Sequence, residues 1–142
     1  MRMMYPTGMT LKLKPQGELK MGLTHVAVKI GQLGSNSLYD AEFLVDTGAV
    51  ESMAPASELR KIGIKPVGKR IYELASGELR EYEYGLAELW FMDEITSTDI
   101  IFGPENIEPI LGVIALENAG FIVDPKNQTL RKLKVRPLKR VA

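Results

Sequence analysis

The chain has 142 residues, 18 basic and 18 acidic side chains, 45% hydrophobic residues, one histidine and no cysteine. That length falls near the commonest single-domain size and buries roughly 68–70% of the surface exposed on unfolding, while the absence of an apolar run of roughly 20 residues argues against a membrane-embedded body. Disulfides, thiolate nucleophiles and sulfur-ligated metals are excluded, and a lone histidine cannot build the clusters of a catalytic zinc site, so neither metal nor cofactor is expected.

The first ten residues, MRMMYPTGMT, lack the apolar core of a secretory signal, which makes the cytoplasm the expected compartment. Thr10 to Lys14 alternates apolar and basic residues and Leu23 to Ile30 is rich in β-branched residues, so both segments read as strands. His25 lies in the second of these and is given a structural role there. Gly34, Ser35, Asn36 and Ser37 supply turn chemistry before a strand from Ala41 to Val45, making a hairpin that delivers Asp46 at its end. Pro55 favours a helix start and Gly63 a stop, so Ala56 to Ile62 reads as a short helix with Leu59 and Ile62 inward.

Ile71 to Leu74 and Leu79 to Phe91 form a long hairpin across Ala75, Ser76, Gly77 and Glu78. In its second strand Tyr82 and Tyr84, continued at the same period by Leu86 and Trp90, alternate with Glu81 and Glu83, which predicts the aromatic face to be core. Asp99 to Phe102 reads as a short strand stopped by Gly103 and Pro104. Val113 to Ala119 reads as a second short helix ended by Gly120, and Phe121 to Val123 and Thr129 to Val135 flank a turn at DPKNQ. Many short strands with one or two short helices predict a mainly β, closed or sandwich-like body in a single domain. Every charged residue after Pro125 is basic, from Lys126 to Arg140, but the balanced total charge and the terminal position weigh against nucleic-acid binding.

Asp46, Thr47 and Gly48 carry the chemistry. The tripeptide alone arises by chance in about two of a hundred chains of this length, taking each residue type at about one in twenty. Its context is more specific: Phe43, Leu44 and Val45 lead into it, and Ile110, Leu111 and Gly112 follow far downstream, ahead of a helix. In this order FLVDTGA, YELASGELREYEYG and EPILGVIALENAGF resemble the catalytic loop, the flap hairpin and the apolar-apolar-glycine strand with C-terminal helix of the retropepsin-like aspartic protease family. The resemblance is closest to prokaryotic single-domain members with DTGA and a closing hairpin like GFIVDPKNQTL. It covers about residues 23–133 and leaves the extension 1–22 and the basic segment 134–142 without a counterpart.

The resemblance implies a closed β-barrel that works as a homodimer and cleaves extended peptide or protein substrates. One chain carries one such aspartate, and two facing carboxylates that share a proton are needed to activate water, so the second would come from another copy. Asp46 would be the catalytic carboxylate, Thr47 would bond across the dimer axis, Gly48 would let backbone amides approach, and Ala49 would line the cleft. Ile110 and Leu111 would pack behind the loop, Gly112 would allow close backbone passage, and the tip at Ala75, Ser76, Gly77 and Glu78 would close over substrate. Ala49 stands where pepsin-like loops often carry a hydroxyl donor, which predicts a less acidic pH optimum than theirs. Val50 followed by Glu51 departs from the retroviral pattern, which has an acidic residue directly after the alanine. Two other readings are a dimeric peptide-binding domain of the same fold without catalysis, and a dimeric β-barrel regulator whose basic C-terminus binds DNA.

Overall fold

The computed structural model describes residues 18–20, 24–124, 126–127 and 129–138. The strand expected at Thr10 to Lys14 and the basic residues Lys139 and Arg140 lie outside the described residues. The chain is mainly β, with strands Glu18–Lys20 (β1), Thr24–Gly31 (β2), Leu38–Val45 (β3) and Ser52–Pro55 (β4), followed by helix Ala56–Lys61 (α1). Strands Gly68–Glu73 (β5), Leu79–Phe91 (β6), Glu94–Gly103 (β7) and Ile110–Leu111 (β8), helix Val113–Asn118 (α2), and strands Phe121–Asp124 (β9) and Thr129–Lys132 (β10) complete it. Neither helix is long and apolar enough to cross a membrane.

Seven strands share one sheet in the order β2-β3-β8-β4-β7-β6-β5, and β6 also pairs with β2 through Lys29↔Trp90, Ile30↔Leu89 and Gly31↔Glu88. The hydrogen-bonded order therefore returns to its first strand, and only β5 stands outside the circuit. Most neighbours are antiparallel, but β3 runs parallel to β8 and β4 runs parallel to β7. Because β8 slots between β3 and β4, the segment joining those two strands, residues 46–51, must loop over the end of β8. Topology thus places the Asp46 turn against Leu111 and Gly112.

Period-two alternation puts Val26, Val28 and Ile30 of β2, Phe43 and Val45 of β3, and Ala87, Leu89 and Phe91 of β6 on one interior face. Leu59 of α1 and Ala115 and Leu116 of α2 cover that interior. Removing a fully buried side chain such as Leu59 by substitution to alanine would cost about 2–5 kcal/mol. A smaller antiparallel sheet, β1-β10-β9, docks through Phe121, whose ring stacks on Phe91 at 6.5 Å, and through Lys132, whose Nζ lies 2.9 Å from Glu94 Oε1.

Three elements differ from the sequence expectation. The interior face of β6 is Ala87, Leu89 and Phe91, not the face of Leu86 and Trp90: Leu86 is exposed and Trp90 is half-buried on the outside. Trp90 lines a groove of about 730 Å³ there with Leu38, Asp40 and Ile95 among others, and a Cβ on Gly31 would lie 3.6 Å from the Trp90 ring. Small Gly85 and Ala87 make the inner face of β6 look weak in sequence, although both are buried. Second, β7 begins at Glu94 rather than near Asp99, because Met92 and Asp93 form a two-residue turn with φ of 49° and 62°. Neither is glycine, and Met92 is held there with its side chain buried at 4% exposure. Third, Ser52–Pro55, to which the sequence assigned no element, is a strand with parallel and antiparallel partners.

Candidate active site

Apolar Phe43, Leu44 and Val45 finish β3, and the next residue turns away from the sheet. Asp46 is half-buried at that turn, and its Oδ1 accepts from the Gly48 amide at 2.9 Å. The Ala49 amide donates to the Asp46 carbonyl at 3.1 Å, closing the turn on itself. A short side chain able to accept a hydrogen bond from the amide two residues on is what an aspartate offers in such a turn.

Distant backbone then fixes the loop. The Asp46 amide donates to the Leu111 carbonyl at 3.1 Å, the Val113 amide to the Ala49 carbonyl at 2.9 Å, and the Ile114 amide to the Val50 carbonyl at 3.0 Å. Upstream, the Leu44 amide donates to the Pro109 carbonyl at 2.8 Å. At Gly112 the two segments pass so closely that a Cβ would lie 2.6 Å from the Glu51 carbonyl oxygen and 2.8 Å from that of Val50. No residue with a side chain fits that approach without moving backbone. The Gly112 amide is satisfied by the hydroxyl of Ser52 at 3.0 Å, a side chain only 1% exposed.

The fold therefore brings Asp46, Ala49, Leu111 and Gly112 together. Ile110 and Leu111 back the turn through their pairing with Leu44 and Val45, Leu111 fully buried and Ile110 half-buried. Thr47 is half-buried, and among the described residues its hydroxyl has no partner within the chain. Exposed Val50 and Ile114 lie side by side on the same surface.

The hairpin of β5 and β6 is paired from Gly68↔Tyr84 to Glu73↔Leu79. Its tip is closed by the Leu74 amide on the Glu78 carbonyl and the Gly77 amide on the Leu74 carbonyl, both at 2.8 Å, with the Glu78 amide on the Ser76 hydroxyl at 3.3 Å. Gly77 has φ of 86°, and Ala75, Ser76, Gly77 and Glu78 are all exposed. The tip is not brought onto Asp46 by any of these bonds.

Its root is tied to the loop by Arg70, which the sequence reading did not single out. Arg70 on β5 places Nη1 2.7 Å from Asp99 Oδ2 on β7 and 3.2 Å from Glu51 Oε1 in the loop, with its guanidinium 3.6 Å above the Tyr84 ring centre on β6. The Asp99 hydrogen bond does most to hold Arg70 in its charged form, pushing its pKa further up. Beside it, the buried Tyr72 hydroxyl has no hydrogen bond of acceptable geometry, and burial together with the nearby Glu51 charge pushes its pKa up. The separations of 19 and 29 residues between Arg70 and its two carboxylates leave no local pattern in sequence. His25, at the opposite side of β3, bonds through its ring nitrogen to Glu108, ahead of β8.

No protein-family model and no curated protein matches the chain. Among solved structures it is similar to a retropepsin-like aspartic protease from Rickettsia conorii, with 21% sequence identity over 80% of this chain and 97% of that one, at a TM-score of 0.39.

Proposed function

We propose that the chain is an aspartic endopeptidase whose catalytic pair is Asp46 from each of two copies in a homodimer. The observation that supports this most is the Asp46 turn itself: a half-exposed carboxylate that accepts from the Gly48 amide, in a loop bonded at Asp46, Ala49 and Val50 to residues 111–114. A carboxylate that has to hold a water in a fixed position needs a rigid support, and long-range backbone bonds supply one. The Thr47 hydroxyl, without a partner among the described residues, is available to bond to the loop of a second copy, and exposed Val50 and Ile114 offer apolar surface beside it. The parallel insertion of β8 and the return of β6 to β2 fit the closed barrel of this reading.

Two carboxylates at a twofold axis cannot both ionise at short range, so they share one proton and hold a water between them. The ionised member takes a proton from the water as its oxygen attacks the peptide carbonyl carbon. The protonated member donates to the developing oxyanion. Collapse of the tetrahedral species breaks the C–N bond, and the amine leaves with a proton returned from the dyad. No covalent acyl-enzyme forms. The β5–β6 hairpin would close over the extended substrate and exclude bulk water. With Ala49 in place of a hydroxyl donor, the pH optimum lies above that of pepsin-like enzymes, and maximal cleavage below about pH 3 would contradict that point.

The deciding experiment is cleavage of denatured casein by the wild type and by Asp46→Asn, with the oligomeric state measured for both. The substitution should lower cleavage at least about a hundredfold and leave the dimer intact. Cleavage that survives it removes Asp46 from the chemistry, and a wild-type dimer that binds peptide without cutting it leaves the non-catalytic peptide-binding reading.

A further inference from the structure

Arg70 joins four parts of the chain that are far apart in sequence: β5, the Asp46 loop through Glu51, β6 through Tyr84, and β7 through Asp99. Its three contacts use different properties of one group. Two carboxylate oxygens approach Nη1 at 2.7 and 3.2 Å, and the ring of Tyr84 lies beneath the guanidinium plane at 3.6 Å. A planar, delocalised cation stacks on an aromatic face while its edge meets two anions; an ammonium offers a point charge and does this less well. Tyr84 is itself seated over Gly68, where a Cβ would come within 2.9 Å of the ring, so the platform under Arg70 is closely packed.

Glu51 makes this more than a surface ion pair. Its side chain is 15% exposed, against 33% for Asp99 and 42% for Arg70, so its carboxylate depends on Arg70 for compensation. Glu51 also ends the loop whose neighbouring carbonyls, at Ala49 and Val50, accept from Val113 and Ile114. A displacement of Arg70 therefore uncovers a charge inside the segment that positions Asp46. By contrast Lys69, one residue earlier on the same strand, reaches among the described residues Glu81 alone, across the hairpin at 4.0 Å.

We infer that Arg70 is a positioning residue that latches the root of the β5–β6 hairpin to the Asp46 loop, so that the hairpin and the loop hold one geometry relative to each other. The catalytic part of this inference rests on the endopeptidase reading; the mechanical part does not. With the latch intact, closure of the exposed tip is hinged at a fixed root and substrate meets a preformed gap between hairpin and loop. Without it, substrate has to order the root on binding, a cost carried by KM more than by kcat.

Two measurements on the full chain test it, using Arg70→Gln, Arg70→Lys and, as a control on the same strand but without contact to Glu51 or Asp99, Lys69→Gln. Hydrogen exchange is read at the amides of residues 47–51 and of β5. In Arg70→Gln both sets should exchange faster together, by about tenfold, while Lys69→Gln leaves them unchanged. Faster exchange in β5 alone, or in neither, overturns the latch. Peptide cleavage is then read as a kcat and KM split: KM should rise about tenfold with kcat within about threefold, and Arg70→Lys should recover part of the loss. A fall in kcat with KM unchanged overturns the inference. A wild type that does not cleave at all defeats the endopeptidase reading and leaves the exchange result to decide the latch. If Arg70→Gln fails to fold, Asp99→Asn loosens the same guanidinium and carries the same two expectations.

Discussion

Two glycine-bearing turns, residues 46–51 and residues 74–78, are built by opposite means. The first is bonded to segments some sixty residues away, through Leu111, Val113, Ile114 and the Ser52–Gly112 contact. The second is closed, among the described residues, by local bonds among Leu74, Ser76, Gly77 and Glu78, with Arg80 two residues on donating to the Glu78 carboxylate. Bonds to distant segments open only when a large part of the structure opens, whereas local ones break and reform by themselves. On the endopeptidase reading the first turn would serve as a fixed support and the second as a movable cover, a division that suits a reaction needing a fixed carboxylate beneath a substrate that must enter and leave.

The contrast is broken most sharply at Gly112. Gly112→Ala sets a Cβ against two backbone carbonyls that cannot swing aside, and should cost about 3 kcal/mol in urea denaturation. A loss below about 1 kcal/mol would mean that the loop yields easily and is no rigid support. Ser52→Ala keeps the backbone but leaves the buried Gly112 amide without its acceptor, a smaller loss of about 1–3 kcal/mol with the same readout. The tip should respond least: a Cβ on Gly77 meets nothing within 4 Å, so Gly77→Ala pays only for φ of 86°, about 1 kcal/mol. Gly77→Asn should recover much of that, since asparagine tolerates the left-handed region. A Gly77→Ala penalty as large as that of Gly112→Ala would erase the distinction between the two turns.

What could be read from sequence follows the same division. The Asp46 turn, the Ala75–Gly77 tip and both short helices depend on local chemistry: a strand ending in an aspartate and a glycine, a glycine with positive φ, and proline and glycine at helix ends. The β6 strand was legible in extent but not in orientation, because its interior face carries Gly85 and Ala87 while large Leu86 and Trp90 face outward. The β6–β7 turn carries no glycine or asparagine to mark it; burial of Met92 stabilises the positive φ instead. Strand β4 draws its definition from its partners on β7 and β8, not from the four residues SerMetAlaPro. The Arg70 cluster is a purely tertiary feature, invisible until four distant segments are folded together.

Trp90 is the sole tryptophan of the chain and sits beside Lys29 and Asp40 on the outward groove. Asp40 and Asp46 lie at opposite ends of β3, separated by roughly 20 Å at about 3.3 Å per residue. The molecule thus carries a natural optical label remote from its acidic turn, and indole emission would follow events on that outer wall and global melting while staying silent to the peptide that the endopeptidase reading would seat at the Asp46 loop.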